Sequence, residues 1–218
     1  MAQHIYTYDN PPAERDLART VRVLAVGGVI AYPTDINWAI GCDAASSKAL
    51  DRIHQLKPTH SKERPFSLIC SSISMAAEYA SIDNAAYRLL RKAWPGPYTV
   101  LLTATRTFPR QLKDKRRVVG IRIPASPLLT AIVDQLGRPL ATTSAPALSS
   151  LQDADGEGEN PPHFGYEVAA AYGHALDLVL DLGAELAGLE STIVDLTGGT
   201  PEVVRKGAGD PALFDLGI

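Results

Sequence analysis

Apolar runs of strand length alternate along this chain with segments whose apolar residues recur at helical spacing. Some connections between the runs are too short to hold a crossover helix, so antiparallel neighbours must accompany parallel ones. That order restricts the fold to an α/β arrangement around a mixed sheet. Residues 4–8 read as an extended segment halted by Pro11-Pro12. From Glu14 a helix carries Leu17, Val21 and Leu24 inward and ends at Gly27-Gly28, as a glycine C-cap requires. Residues 29–34 are a strand. Ser46 or Ser47 can cap a helix through about Leu56 that buries Ala49, Leu50 and Ile53.

Further strands are expected at 65–70, 98–103, 118–123, 140–143, 178–180, 192–196 and 202–205. Asp83 opens a helix that Pro95-Gly96-Pro97 stops. Pro127 lies in the first turn of another, with Leu128, Leu129, Ile132, Val133 and Leu136 inward and Gly137 at its end. A further helix covers 167–172. Residues 146–162 are polar, glycine-rich and acidic, and read as a mobile loop. With 218 residues, no repeat and no low-complexity block, a single domain spanning 1–218 is expected.

Composition excludes some classes of function. No apolar run reaches the roughly 18–20 residues of a membrane span, and the N-terminus lacks a basic and an apolar signal region. A cytoplasmic location is the resulting expectation. Cys42 and Cys70 are too few for a disulfide framework or a structural zinc site, and are expected as small apolar residues beside strands. The five histidines show no metal-ligand spacing. The net charge of −3 hides an asymmetry: residues 1–125 carry +8 and residues 126–218 carry −11. The basic part points to an anionic partner.

The segment from Gly27 to Asp43 is the most informative. It is an apolar strand, a Pro33-Thr34-Asp35 turn and a second apolar stretch with Gly41 near its end. It delivers a hydroxyl and a carboxylate to a strand end, where open α/β folds bind ligands. Arg122 stands inside the apolar Gly120-Ile-Arg-Ile-Pro124 and must meet either a ligand's anion or an internal carboxylate. Further polar groups cluster at Lys57…Lys62-Glu63-Arg64, Thr142-Thr143-Ser144, and Ser191-Thr192 with Arg205. Arg205-Lys206-Gly207 is either a phosphate contact or a solvated strand end. Residues 106–117 hold six cations and one acid, suiting either a solvated loop or nucleic-acid phosphates. No Walker A loop, dinucleotide fingerprint, nucleophile elbow or general-base histidine is evident. Cations and hydroxyls without a base fit nucleotidyl transfer, where charge stabilisation dominates.

Five segments in order resemble the YrdC family of threonylcarbamoyl-adenylate synthases, most closely its YciO branch. They are Gly27-Gly-Val-Ile-Ala-Tyr-Pro-Thr-Asp…Gly41, Gly120-Ile-Arg-Ile-Pro124, Pro139-Leu-Ala-Thr-Thr-Ser-Ala145, Ser191-Thr-Ile-Val-Asp195 and Val204-Arg-Lys-Gly207. The resemblance implies a twisted mixed sheet flanked by helices, with a concave basic cleft. It implies that threonine and bicarbonate form an N-carboxy-threonine that attacks the α-phosphate of ATP, releasing pyrophosphate, for tRNA adenosine modification. By motif, Thr34, Arg122, Ser144 and Ser191 would hold threonine or the carbamate. Lys57, Lys62, Arg64 and Arg205 would face the nucleotide, with Mg²⁺ bridging its phosphates.

The chain departs from the family pattern at Asp35-Ile-Asn-Trp38 in place of Glu-Thr-x-Tyr, at the displaced Lys62-Glu-Arg64, and at Ser144-Ala-Pro146 in place of Ser-Ala-Asn. The alternative is a protein of the same fold that binds tRNA or double-stranded RNA with little catalysis, through Arg110, Lys113, Lys115, Arg116 and Arg117. A third reading is a paralogue that binds nucleotide without turnover. A monomer or homodimer is expected, without a membrane partner.

Overall fold

The computed structural model describes residues 1–56, 66–112, 117–148 and 160–214. In chain order it contains β1 (Gln3–Tyr6), α1 (Glu14–Ala25), β2 (Val29–Pro33), β3 (Trp38–Asp43), α2 (Ser47–Leu56), β4 (Ser67–Ile69), α3 (Ile73–Tyr79) and α4 (Asn84–Ala93). There follow β5 (Tyr98–Thr103), β6 (Val118–Arg122), α5 (Pro127–Leu136), β7 (Leu140–Ser144), α6 (Gly165–Tyr172), β8 (Leu178–Asp181), β9 (Thr192–Asp195) and β10 (Glu202–Arg205). The ten strands form one sheet in the order β1-β8-β2-β3-β7-β4-β6-β5-β9-β10. Pairings β1/β8, β2/β8, β4/β6 and β5/β9 are parallel, while β2/β3, β3/β7, β4/β7, β5/β6 and β9/β10 are antiparallel. The mixed α/β sheet anticipated from the sequence is therefore the observed architecture.

The continuous apolar run of β2 follows from burial on both faces. Val29 and Ala31 enter one core with Ala49, Leu50 and Ile53 of α2. Ile30 and Tyr32 enter the other, with Leu24 of α1 and Leu128, Leu129, Ile132, Val133 and Leu136 of α5. Each such Val, Leu or Ile side chain contributes roughly 1.5–3 kcal/mol relative to exposure. Helix starts follow their caps. Asp83 accepts from Ala86 N at 2.7 Å, and Ser126 accepts from Leu129 N at 3.3 Å. Asp9, far away in sequence, joins that cap by accepting from Ser126 Oγ at 2.9 Å and Leu128 N at 3.1 Å. Gly137 closes α5 in the left-handed region at φ 72°, which a Cβ would disfavour.

Two elements were not legible. The second apolar stretch is a full strand, β3, completing a hairpin with β2. Seven-residue α3 escaped because it is short; its one signal is the Ser72 cap, whose Oγ accepts from Met75 N at 3.1 Å. Of the loop anticipated at 146–162, residues 149–159 lie outside the described part; the neighbouring Leu148 N donates to Asn160 O at 3.1 Å. Both cysteines are buried, and burial pushes each thiol up to about 12.

Gly41 serves a close approach. The Tyr32 side chain crosses over it to donate to Thr142 Oγ1 at 2.7 Å, and a Cβ on Gly41 would sit 2.6 Å from the Tyr32 hydroxyl oxygen and 2.8 Å from Ala141 O. Gly41→Ala is expected to cost about 1–3 kcal/mol through this overpacking, read as a lower urea midpoint at unchanged slope.

Candidate functional site

The β2–β3 turn is built by one threonine. Thr34 Oγ1 accepts from Ile36 N at 3.2 Å and Asn37 N at 3.1 Å, and donates to Asn37 O at 2.7 Å. Its hydroxyl is thereby fully engaged, and Thr34 N closes the turn on Asn37 O at 2.8 Å. The turn holds Asp35 at its tip. Asn37 Nδ2 reaches Ser144 Oγ at the end of β7, at 3.4 Å.

Arg122, last residue of β6, is 6% exposed, and its Nη2 donates to Asp35 Oδ1 in an ion pair. Of the two partners open to Arg122 from sequence, the internal carboxylate is present. The contact crosses the sheet diagonally. Along the ladders Arg122 is level with Ile69, Leu140 and Asp43, whereas Asp35 lies beyond Trp38 at the opposite end of β3. In a flat sheet those positions would be roughly 20 Å apart, at 3.4 Å per residue and 4.8 Å per strand. The contact therefore calls for the long reach of the arginine side chain and the twist that sheets ordinarily carry, which brings diagonal corners toward one face. Burial pushes the Arg122 guanidinium down from its ordinary value; the Asp35 charge and hydrogen bond oppose this, and the positive charge of Arg205 adds to the downward push. Arg122 Nε is sealed from solvent with no partner among the described residues.

The second half of the site comes from β5, β9 and β10. Ser191 Oγ lies 2.8 Å from Thr99 Oγ1, and Thr99 neighbours Arg122 across the β5–β6 ladder. Arg205 donates from Nε and Nη2 to Ser191 O at 3.2 and 2.9 Å, from Nη2 to Ser191 Oγ at 3.2 Å, and from Nη1 to Glu190 Oε1 at 2.8 Å. Leu189 N donates to Ile36 O at 3.1 Å, so the segment leading into β9 abuts the β2–β3 turn. Trp38 Nε1, held by His163 O at 3.2 Å, ties the 160–164 segment to the same turn.

Thr34, Asp35, Arg122, Ser144, Ser191 and Arg205 are thus joined by contacts around one turn. Lys57, Lys62, Arg64, Lys113, Lys115 and Arg116 lie outside the described residues. Arg110 and Arg117 are exposed on the β5–β6 connection, at the end of β6 opposite Arg122, and do not join the site. The sequence reading did not single out Asn37, Thr99 or Glu190. Thr99, a polar residue inside an apolar strand, was the available signal. No group of three or more His, Cys, Asp or Glu side chains among the described residues could hold a metal ion. No helix among them is long and apolar enough to cross a membrane.

Comparison with known proteins places this geometry in context. The Sua5_yciO_yrdC family model, described as telomere recombination, matches residues 22–207. YciO of Escherichia coli K12 is 34% identical over 218 residues, covering 98% of this chain and 100% of that one. Its crystal structure superposes with a TM-score of 0.88 at 33% identity, covering 98% of this chain and all of that one. The threonylcarbamoyl-AMP synthase of Xanthomonas axonopodis pv. citri is 35% identical over 133 residues, 60% of this chain and 71% of that one. Sua5 of Pyrococcus abyssi, solved in complex with L-threonine, shares the fold at a TM-score of 0.80 and 24% identity, over 95% of this chain and 57% of that longer one.

Removing one partner of a buried ion pair strands the other charge. Asp35→Ala alone is expected to cost about 3–5 kcal/mol, whereas Asp35→Ala with Arg122→Leu should recover most of that loss. A double-mutant cycle by urea unfolding measures the difference.

Proposed function

Because the chain belongs to the Sua5–YciO–YrdC family, we propose that it forms a threonylcarbamoyl-adenylate from L-threonine, bicarbonate and ATP, releasing pyrophosphate, to supply tRNA adenosine modification. The observation that carries this reading is Arg122: a buried guanidinium whose Nη1 has no partner among the described residues and is not sealed, inside Gly120-Ile-Arg-Ile-Pro124. The threonylcarbamoyl-AMP synthase name of the Xanthomonas relative and the threonine complex of Sua5 support it.

In this proposal the threonine carboxylate lies on Arg122, with Ser144 and Ser191 as hydroxyl contacts. Thr34 contributes by holding the turn. The amine, its ammonium proton lost to water, forms a C–N bond to bicarbonate as one C–O bond breaks and water leaves; the resulting carbamate is anionic, so its oxygen can attack the α-phosphorus without a protein base. One P–O bond forms, the bond to the β-phosphate oxygen breaks, and pyrophosphate leaves with that electron pair. Arg205 faces the charge that develops there, where fixed cations stabilise the transition state. Its exposed pair with Glu190 is worth at most about 1 kcal/mol, weak enough to exchange for a phosphate oxygen. Lys57, Lys62 and Arg64 complete the nucleotide side in this reading. Mg²⁺ would be held chiefly by the triphosphate and water, as that ion prefers, and supply further charge neutralisation.

Pyrophosphate release should require both threonine and bicarbonate, and kcat/KM should fall about 10²–10³-fold in Arg122→Ala and at least tenfold in Arg205→Ala. Release indifferent to either substrate or to both substitutions would remove this reading.

A second reading, RNA binding with little catalysis, is favoured by the +8 charge of residues 1–125 and the exposed Arg110 and Arg117. Neutralising Arg110, Lys113, Lys115, Arg116 and Arg117 together should then flatten the dependence of double-stranded RNA affinity on salt by several units of slope. An unchanged slope measured by filter binding would dismiss that surface.

A further inference from the structure

We propose that the open edge of β1 is a homodimer interface, at which a second copy of this chain continues the sheet across a two-fold axis. Among the described residues β1 pairs only with β8. Gln3 N and Thr7 N donate to Asp177 O and Asp181 O at 3.0 and 2.8 Å. Backbone groups alternate sides along a strand, so Ile5 points the same way, and His4 and Tyr6 turn their N–H and C=O groups to the open edge. Such an edge is a template for another strand unless charge or proline blunts it. Residues 1–8 contain no Asp, Glu, Lys, Arg or Pro. The one imidazole there, His4, already meets Asp181 Oδ2 through Nε2 at 2.8 Å.

Exposed apolar surface gathers at the same edge. Met1, Tyr6 and Tyr8 are three of the eight large apolar side chains that stand exposed among the described residues. Tyr166 is a fourth, because α6 opens at Gly165, which abuts the Asp181 carboxylate beside Tyr6. Tyr6, Tyr8 and Tyr166 are 69%, 74% and 59% exposed. At roughly 200 Å² per aromatic side chain they offer about 400 Å² per copy, around half of the ~800 Å² that each partner of a standard interface buries. A reversible, concentration-dependent dimer is the form this area supports.

The edge fits itself. With Ile5 on the two-fold axis, His4 of each copy faces Tyr6 of the other, and the free N–H and C=O groups of both residues are all paired. Ile5, half-buried on the opposite face, meets its symmetry mate at the close spacing of a non-hydrogen-bonded pair, about 4.5 Å between Cα atoms. The His4 ring, stacked on Tyr6 of its own strand at 5.1 Å, gains Tyr6 of the second copy as a cross-strand aromatic neighbour. Bulky Tyr8 falls opposite small Ala2. No like charges are set against each other anywhere in residues 2–8. A strand of another protein would have to reproduce these features, whereas the second copy supplies them by symmetry.

Sedimentation velocity of the wild-type chain should show monomer giving way to dimer over roughly 1–100 μM. Tyr6→Lys, at an exposed position, should weaken that association at least tenfold with an unchanged melting transition, since a lysine blunts the edge. Register is read by mild oxidation. Ile5→Cys should form an intermolecular disulfide, while Tyr8→Cys should not, because its symmetry mates lie about 20 Å apart. The native Cys42 and Cys70 are buried and do not compete. A wild-type chain that stays monomeric at about 100 μM would overturn the inference and leave the edge to another occupant. A dimer indifferent to Tyr6→Lys, or one that links Tyr8→Cys and not Ile5→Cys, would overturn it by placing the interface elsewhere.

Discussion

The buried ion pair between Asp35 and Arg122 joins two parts of the chain that a flat sheet would hold far apart. One partner rides the tip of the β2–β3 turn; the other ends β6, three strands across and at the opposite end of the ladder. Sheet twist and the reach of the arginine side chain favour that approach, and the contact ties the β2–β3 turn to the end of β6. Everything else at the site is arranged around that contact. Thr34 shapes the turn, Tyr32 reaches across Gly41 to Thr142 on the same face, and Thr99 carries the network on to Ser191. A buried pair of this kind adds little net stability, because desolvation offsets its attraction. Its value lies in orientation.

The two arginines of the candidate site each carry an internal carboxylate, Asp35 on Arg122 and Glu190 on Arg205, but the two pairs differ in kind. Asp35 is largely buried, and the Thr34 contacts brace the turn that carries it. Glu190 is mostly exposed, and its pair is screened by water and salt. The two pairs thus differ in burial: one is held inside the fold and the other lies in contact with water.

Local patterns carried much of the fold. The five inward residues of α5, the Asp83 cap and the strands at 98–103 and 202–205 were legible because periodicity and caps act within a few residues. The hairpin partner β3 was harder to read, since an apolar stretch buried on both faces has no alternation to betray it. Arg122, Ser191 and Arg205 stood out as polar residues in apolar surroundings. Asn37 and Glu190 did not, because nothing in their neighbours marks a residue whose importance comes from a partner more than a dozen positions away or across the sheet.

The sequence alone therefore determined most of the element types, β3 and α3 excepted, together with the mixed character of the sheet and the family. Each of these follows from local spacing or from motifs in a fixed order. Only the tertiary structure decided which internal carboxylate meets Arg122, that the Thr34 hydroxyl is spent on its own turn, and that Arg205 is shared between Ser191 and Glu190. The reason is physical: those pairings depend on strand order, register and accumulated twist, which bring together residues that no local preference of the chain connects.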